Sequence, residues 1–216
     1  MSWGEVYKIN SNMKKPLNEQ IRNLAILPMR IITASTSYTP EKTGIYMVIC
    51  VGEGGDGDGY PGTYYQSSGG SGGGVAIKTL RLESSQLYNV TVSGTASFST
   101  LMTATAGGNA GGSGGTATGG DYNFTGEKGE SQDRYTNDIP ARAGSVGVAL
   151  TGLSQYLRAE VSFTDGTIFS LNWGGSLLGY GGGGSGIVHP ANGEKYAYDQ
   201  TGQPAAVIII PLEMEE

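Results

Sequence analysis

Cysteine, histidine and charge are all scarce in this sequence, and each shortage closes off a class of protein. One cysteine, Cys50, and one histidine, His189, stand among 216 residues. A disulfide framework needs cysteine pairs, a multi-histidine zinc site needs more than one histidine, and no Cys-His nucleophile pair is obvious in the sequence. Cys50 sits inside the apolar run IYMVICV and reads as a buried, inert thiol; His189 reads as a loop residue. Charged residues make up 15%, too few for charge-driven disorder. No apolar run approaches the roughly 18 residues of a membrane span, and no secretory leader opens the sequence. The expectation is a chain made and folded in a reducing cytoplasm, without membrane insertion. A net charge of -6 and a pI near 4.8 argue against nucleic acid or an anionic bilayer as the partner. Residues 1–42 carry six Lys/Arg and three Asp/Glu, leaving -9 for the rest, so the arm and the body face different partners.

Two residue types are abundant instead. There are 38 glycines and 13 tyrosines, against 4 phenylalanines and 2 tryptophans. Glycine is concentrated in tracts at 52–74, 107–120 and 174–186, where it recurs at i and i+3 (Gly108, Gly111, Gly114; Gly69, Gly72; Gly183, Gly186). Ordinary packing is excluded, because glycine inside a helix costs about 1 kcal/mol relative to alanine and weakens a strand similarly. Two outcomes remain. One is a disordered linker. The other is a bundle of extended, left-handed threefold helices rising about 3.1 Å per residue, in which only glycine fits where backbones touch. Such strings have no internal hydrogen bonds and must bond to each other. Each tract here is bracketed by apolar strand-like runs that fix its ends, an arrangement a linker does not need.

The runs divide the chain into an arm, 1–28, and a glycine-rich β body, 29–216. In the arm, Pro16 suits the first turn of a helix, and Leu17, Ile21 and Leu24 form a narrow apolar seam until Pro28. A helix this short needs a partner: either it packs on the body, or it self-associates, a homotrimer being one form of that. In the body, strands are expected at 29–35, 44–51, 75–82, 86–92 and 96–105, with a hairpin at 158–173 around Asp165-Gly166 and a buried strand at 205–210 halted by Pro211. Residues 146–157 read equally as helix or strand, and 121–140 as an aromatic, polar loop. The expected fold is mainly β: a sandwich or jelly-roll-like set of strands with a bundle of polyglycine II helices and a short N-terminal helical arm.

Residues 38–126, with YTPEKTGIYMVICVGEGGDG, SSGGSGGGVAIKTLRLESSQLYNVTVSG and SFSTLMTATAGGNAGGSGG, resemble a glycine-rich domain of phage tail-fibre and minor tail proteins. The layout is also similar to the receptor-binding adhesins at the tips of T-even-type long tail fibres. That resemblance implies polyglycine helices in a rigid sandwich whose distal loops carry the recognition residues. The opening NSNMKKPLNEQIRN resembles the start of tail proteins of phages, or phage-derived bacteriocins, of Gram-positive bacteria. It implies attachment to tail fibre or baseplate proteins through residues 1–28 and a place in the virion tail. The arm is shorter than the attachment domain of the T-even tips.

For chemistry, the glycine runs lack the Lys-Ser/Thr ending of a phosphate loop and make no Rossmann fingerprint. Asp56 and Asp58 in GDGDG invite a calcium reading, but the further ligands and distal glutamate are missing, which favours a solvated turn. The expectation is therefore a protein without catalysis or cofactor. Three segments hold the candidate contacts: Asp58, Tyr60, Tyr64 and Tyr65; then Tyr122, Phe124 and Tyr135; then Tyr196 and Tyr198. Aromatic faces stack on sugar rings and short polar groups bind hydroxyls, so a host-surface glycan or exposed protein is the expected ligand. The same tyrosines would instead cover subunit contacts in a purely structural baseplate or fibre component. Ice binding by a flat polyglycine face is a third reading, disfavoured by the large polar loops that interrupt the tracts.

Overall fold

The computed structural model describes residues 28–59, 66–133, 144, 154–155, 158–162, 168–172, 176–184 and 201–215. Among the described residues there is no helix; the arm helix expected from Pro16 lies outside them. The first strands are β1 (Arg30–Ile32), β2 (Thr36–Tyr38), β3 (Gly44–Val51), β4 (Asp58–Gly59), β5 (Gln66–Ser68) and β6 (Val75–Leu82). Next come β7 (Tyr88–Ser93), β8 (Thr95–Phe98), β9 (Met102–Ala104), β10 (Ala117–Thr118), β11 (Tyr122–Phe124) and β12 (Ser131–Asp133). The last are β13 (Ser154–Gln155), β14 (Arg158–Ser162), β15 (Ile168–Asn172), β16 (Ser176–Leu177) and β17 (Ala206–Met214).

Two five-stranded antiparallel sheets carry most of this. The first has the order β1-β17-β3-β6-β11 and the second β10-β9-β8-β7-β2. The continuous apolar run of β3 follows from its position, since both of its faces are covered. Tyr46, Val48 and Cys50 point to the second sheet, where with Val207, Ile209 and Leu82 they meet Tyr88, Val90, Ala96, Phe98, Met102 and Ala104. The Tyr88 and Phe98 rings stack there with centroids 5.3 Å apart. Ile49 and Val51 face the other way and pack with Val75, Ile208 and Leu177.

Several expected boundaries move. Residues 96–105 form two strands, β8 and β9, because Ser99 turns the chain at a φ of 50°. Pro211 does not halt the last strand, which runs on to Met214 through a bulge between Pro211 and Glu213. The neighbour β1 reaches only Ile209, so beyond it that side of β17 is an open edge where a missing N–H breaks no ladder. Part of the loop read at 121–140 is β11, paired to β6, and β12, paired to β5. The hairpin is present as β14 paired with β15, Ser162 opposite Ile168; its Asp165-Gly166 turn lies outside the described residues. Of 146–157, the described Ser154–Gln155 is strand.

Burial between the sheets sets an alkaline limit on the fold. It pushes the Tyr38 phenol up to about 12, helped by Tyr46, and the Cys50 thiol up to about 12, only partly offset by a hydrogen bond to the Phe98 backbone. Tyr46 is raised as well, again by burial first. In each case the folded state holds the proton more tightly than the unfolded chain, so the contribution is complete below the ordinary values of 9.0 and 10.0 and is lost as pH climbs towards 12. The expected result is a denaturation midpoint that falls steadily above pH 9, read by urea titration at fixed ionic strength.

Candidate functional site

Seven glycine-bearing segments, 52–57, 69–74, 105–108, 113–116, 125–130, 181–184 and 201–205, leave or enter the sheets at one common end. The junctions lie in register: Val51 pairs with both Ala206 and Val75, Val75 with Phe124, and Ala104 with Ala117. The ladders continue into the segments, with Gly52 N–H donating to the Gly74 carbonyl at 2.9 Å and Thr105 N–H to Thr116 at 2.8 Å.

The segment 69–74 lies at the centre. Its N–H groups donate outward in a period of three: Gly69 and Gly72 to Glu130 and Glu127, Gly70 and Gly73 to Gly184 and Gly181, Ser71 and Gly74 to Gly108 and Thr105. Its carbonyls accept from another set of neighbours: Gly69 and Gly72 from Gly111 and Gly115, Ser71 and Gly74 from Gly55 and Gly52, and Gly70 from Gly144. All these bonds are 2.7–3.1 Å long. The neighbours are bonded to one another too, through Gly107 to Glu53, Gly108 to Ser113, Gly126 to Gly115, Gly183 to Gly144 and Gly184 to Gly55. One segment is thus ringed by five others and Gly144, with 201–205 outside, bonded to Gly54 and to Gly181 and Gly182.

Space, more than backbone angle, demands glycine here. A Cβ on Gly70 would fall on the Gly55 carbonyl, one on Gly73 on Gly52, one on Gly126 on Gly72, and one on Gly183 on Gly70. None of these four has a left-handed φ. Ser71 is the one side chain inside the central segment: fully buried, it donates to the Gly112 carbonyl at 2.5 Å and accepts from Gly129 N–H at 3.0 Å.

At the far end of the segments, β12-β5-β4 forms a small sheet. Asp133 pairs with Gln66, and Gly59 with Ser67, so the stretches 60–65 and 134 onward start from the same edge. The described flanks of 185–200 lie close by: Gly184 N–H donates to the Gly55 carbonyl and Gly202 N–H to Asp56 Oδ1, both at 2.8 Å. Tyr60, Tyr64, Tyr65, Tyr135, Tyr196 and Tyr198 themselves lie outside the described residues. Asp58 contributes its backbone to β4. Asp56 is a structural anchor, since its N–H also donates to Asn109 Oδ1 at 2.8 Å.

Tyr122 and Phe124 are elsewhere. Both are on β11, the edge of the first sheet, opposite Ile77 and Val75. Tyr122 is 65% exposed on the body, and Phe124 packs half-buried against the cluster of Ile49, Val51 and Val75. The expectation of a loop at 121–138 fails for these two because β6 offers a free edge with matching apolar residues. A feature the sequence reading missed joins the far end instead: the turn at 109–112, with Ala110 at φ 47° and Gly111 at φ 74°, exposes Asn109 and Ala110 beside Asp56. Its signal was the Asn-Ala-Gly-Gly sequence inside a glycine run. No protein-family model matches the chain, and no curated protein matches it.

Proposed function

We propose that the glycine segments are polyglycine II helices packed around the central 69–74, that the two sheets form a sandwich holding their near ends, and that the chain is a receptor-binding tip of a phage tail or phage-tail-like particle. The threefold period of donors around 69–74 supports the first part, since a helix with three residues per turn aims every third N–H at the same neighbour. The observation that carries the function is the common rooting of 60–65, 134 onward and 185–200 at the end remote from the sheets. Stiff support lowers the ordering cost of any contact those tyrosines make with a host glycan or protein. The ligand is bound and released without bond chemistry, and residues 1–28 mount the chain on the tail.

The test substitutes alanine at Tyr64, Tyr65, Tyr196 and Tyr198 together, and separately at Tyr122. The distal set is expected to reduce adsorption of intact particles at least about tenfold, equivalent to about 1.4 kcal/mol. Tyr122→Ala, on the body, is expected to leave adsorption unchanged. Particles that fail to assemble with the distal variant would support the alternative, a structural baseplate or fibre component whose tyrosines lie against other subunits. Unchanged assembly and adsorption would remove both readings.

A further inference from the structure

The outer margin of the first sheet, along β1 and the last part of β17, carries exposed apolar side chains. Met29, Ile31 and Leu212 are 45%, 40% and 54% exposed. Ile31 pairs with Ile208 and shares its face; inward of it in the same row Ile208 and Ile49 are buried, so the exposure is confined to the edge strand. Extending the register one residue sets Met29 beside Ile210, which with Met47 is half-buried on that face. Leu212 is the extra residue of the bulge on the same strand. Scattered apolar residues need no explanation, whereas Met29 and Ile31, two apart on one face of an edge strand and beside half-buried Ile210, call for a cover.

We propose that residues 16–27 of the same chain form that cover, lying across the margin as an amphipathic helix. The chain enters the body there. Arg30 pairs with Ile209 and Ile32 with Val207, so β1 runs towards the glycine end and the arm comes to the edge strand from the other direction, Pro28 just preceding Met29. Leu17, Ile21 and Leu24, four and three apart, would form the inward seam. Twelve helical residues span about 18 Å, close to the width of four strands at about 4.8 Å each, so the segment can reach from β1 over β17 and β3. Charge also fits. Residues 1–27 carry Lys8, Lys14, Lys15 and Arg22 against Glu5 and Glu19, and beside the margin Glu213 is exposed and takes no partner among the described residues. The helix is too short to hold alone, and the margin supplies the apolar partner it lacks.

This inference is independent of receptor binding, and its test reads neither adsorption nor assembly. The full chain is exposed to limiting trypsin, with cleavage at Lys14 and Arg22 followed by mass spectrometry. Slow cleavage is expected in the unmodified chain. Two variants, Leu17→Asp with Ile21→Asp on the arm and Ile31→Asp with Leu212→Asp on the margin, are each expected to speed it at least tenfold. The arm pair leaves the body sequence intact, so its result does not depend on the body refolding around a new charge. Cleavage of the unmodified chain as fast as the variants overturns the proposal. Protection that fades on dilution also overturns it, by making a second copy the occupant.

Discussion

Gly70→Ala is expected to cost about 3 kcal/mol or more and to lower the melting temperature by about 6–12 °C. The reason is the nature of the obstacle. An added Cβ would meet the Gly55 carbonyl oxygen and carbon and the Asp56 carbon, all backbone. A flexible side chain could swing away, but these atoms cannot. Gly70 is also bonded on both sides, N–H to Gly184 and carbonyl from Gly144, so a shift that relieves the clash lengthens bonds to two further segments. Gly179→Ala is the comparison. That position has φ 89° and nothing within 4 Å of the would-be Cβ, so its cost is backbone strain alone, about 1–2 kcal/mol. Calorimetry of the two variants decides whether close backbone contact or backbone angle governs glycine use here. Equal melting temperatures would reject the packing account.

The strands were legible in the sequence where pattern and environment coincide. The bounds expected for 44–51 and 75–82 are those of β3 and β6, because each run is apolar or alternating over its whole length and ends where glycine begins. The glycine tracts were legible as segments that bond to one another through their backbones, but they were undercounted. Residues 125–130, TGEKGE, look like a charged loop, yet Gly126 and Gly129 bond inward while Glu127, Lys128 and Glu130 are exposed. If the segments are the threefold helices proposed above, each needs a small residue only on the side where a neighbour touches, so two glycines three apart suffice, and composition does not mark them. Pro211 misled for a related reason: its effect depends on whether the strand beside it is present, and β1 stops two residues short. For the candidate site, the sequence supplied the tyrosines but not their sorting. Tyr122 and Phe124 alternate like any strand, and only the open edge of β6 draws them onto the body.

Phe98→Ala is expected to cost about 3–5 kcal/mol, a fall of about 6–20 °C in melting temperature. Phe98 is fully buried between the sheets and stacks on Tyr88, so truncation removes a ring contact and leaves a cavity lined by strands that cannot close on it. The variant also asks whether the sheets and the glycine segments unfold together. Gly70 is far in sequence from Phe98 and lies among backbones with no apolar side chains, so a separable glycine region would show its own transition, lowered by Gly70→Ala and untouched by Phe98→Ala. The bonding argues for one unit. Gly52 to Gly74 extends the β3–β6 ladder, Thr105 to Thr116 extends β9–β10, and the central segment bonds to both pairs, so losing either sheet releases the ends that hold the segments together. A single calorimetric transition, shifted down by each substitution alone, is therefore expected. Two resolved transitions that respond separately would mean the glycine segments hold themselves without the sheets.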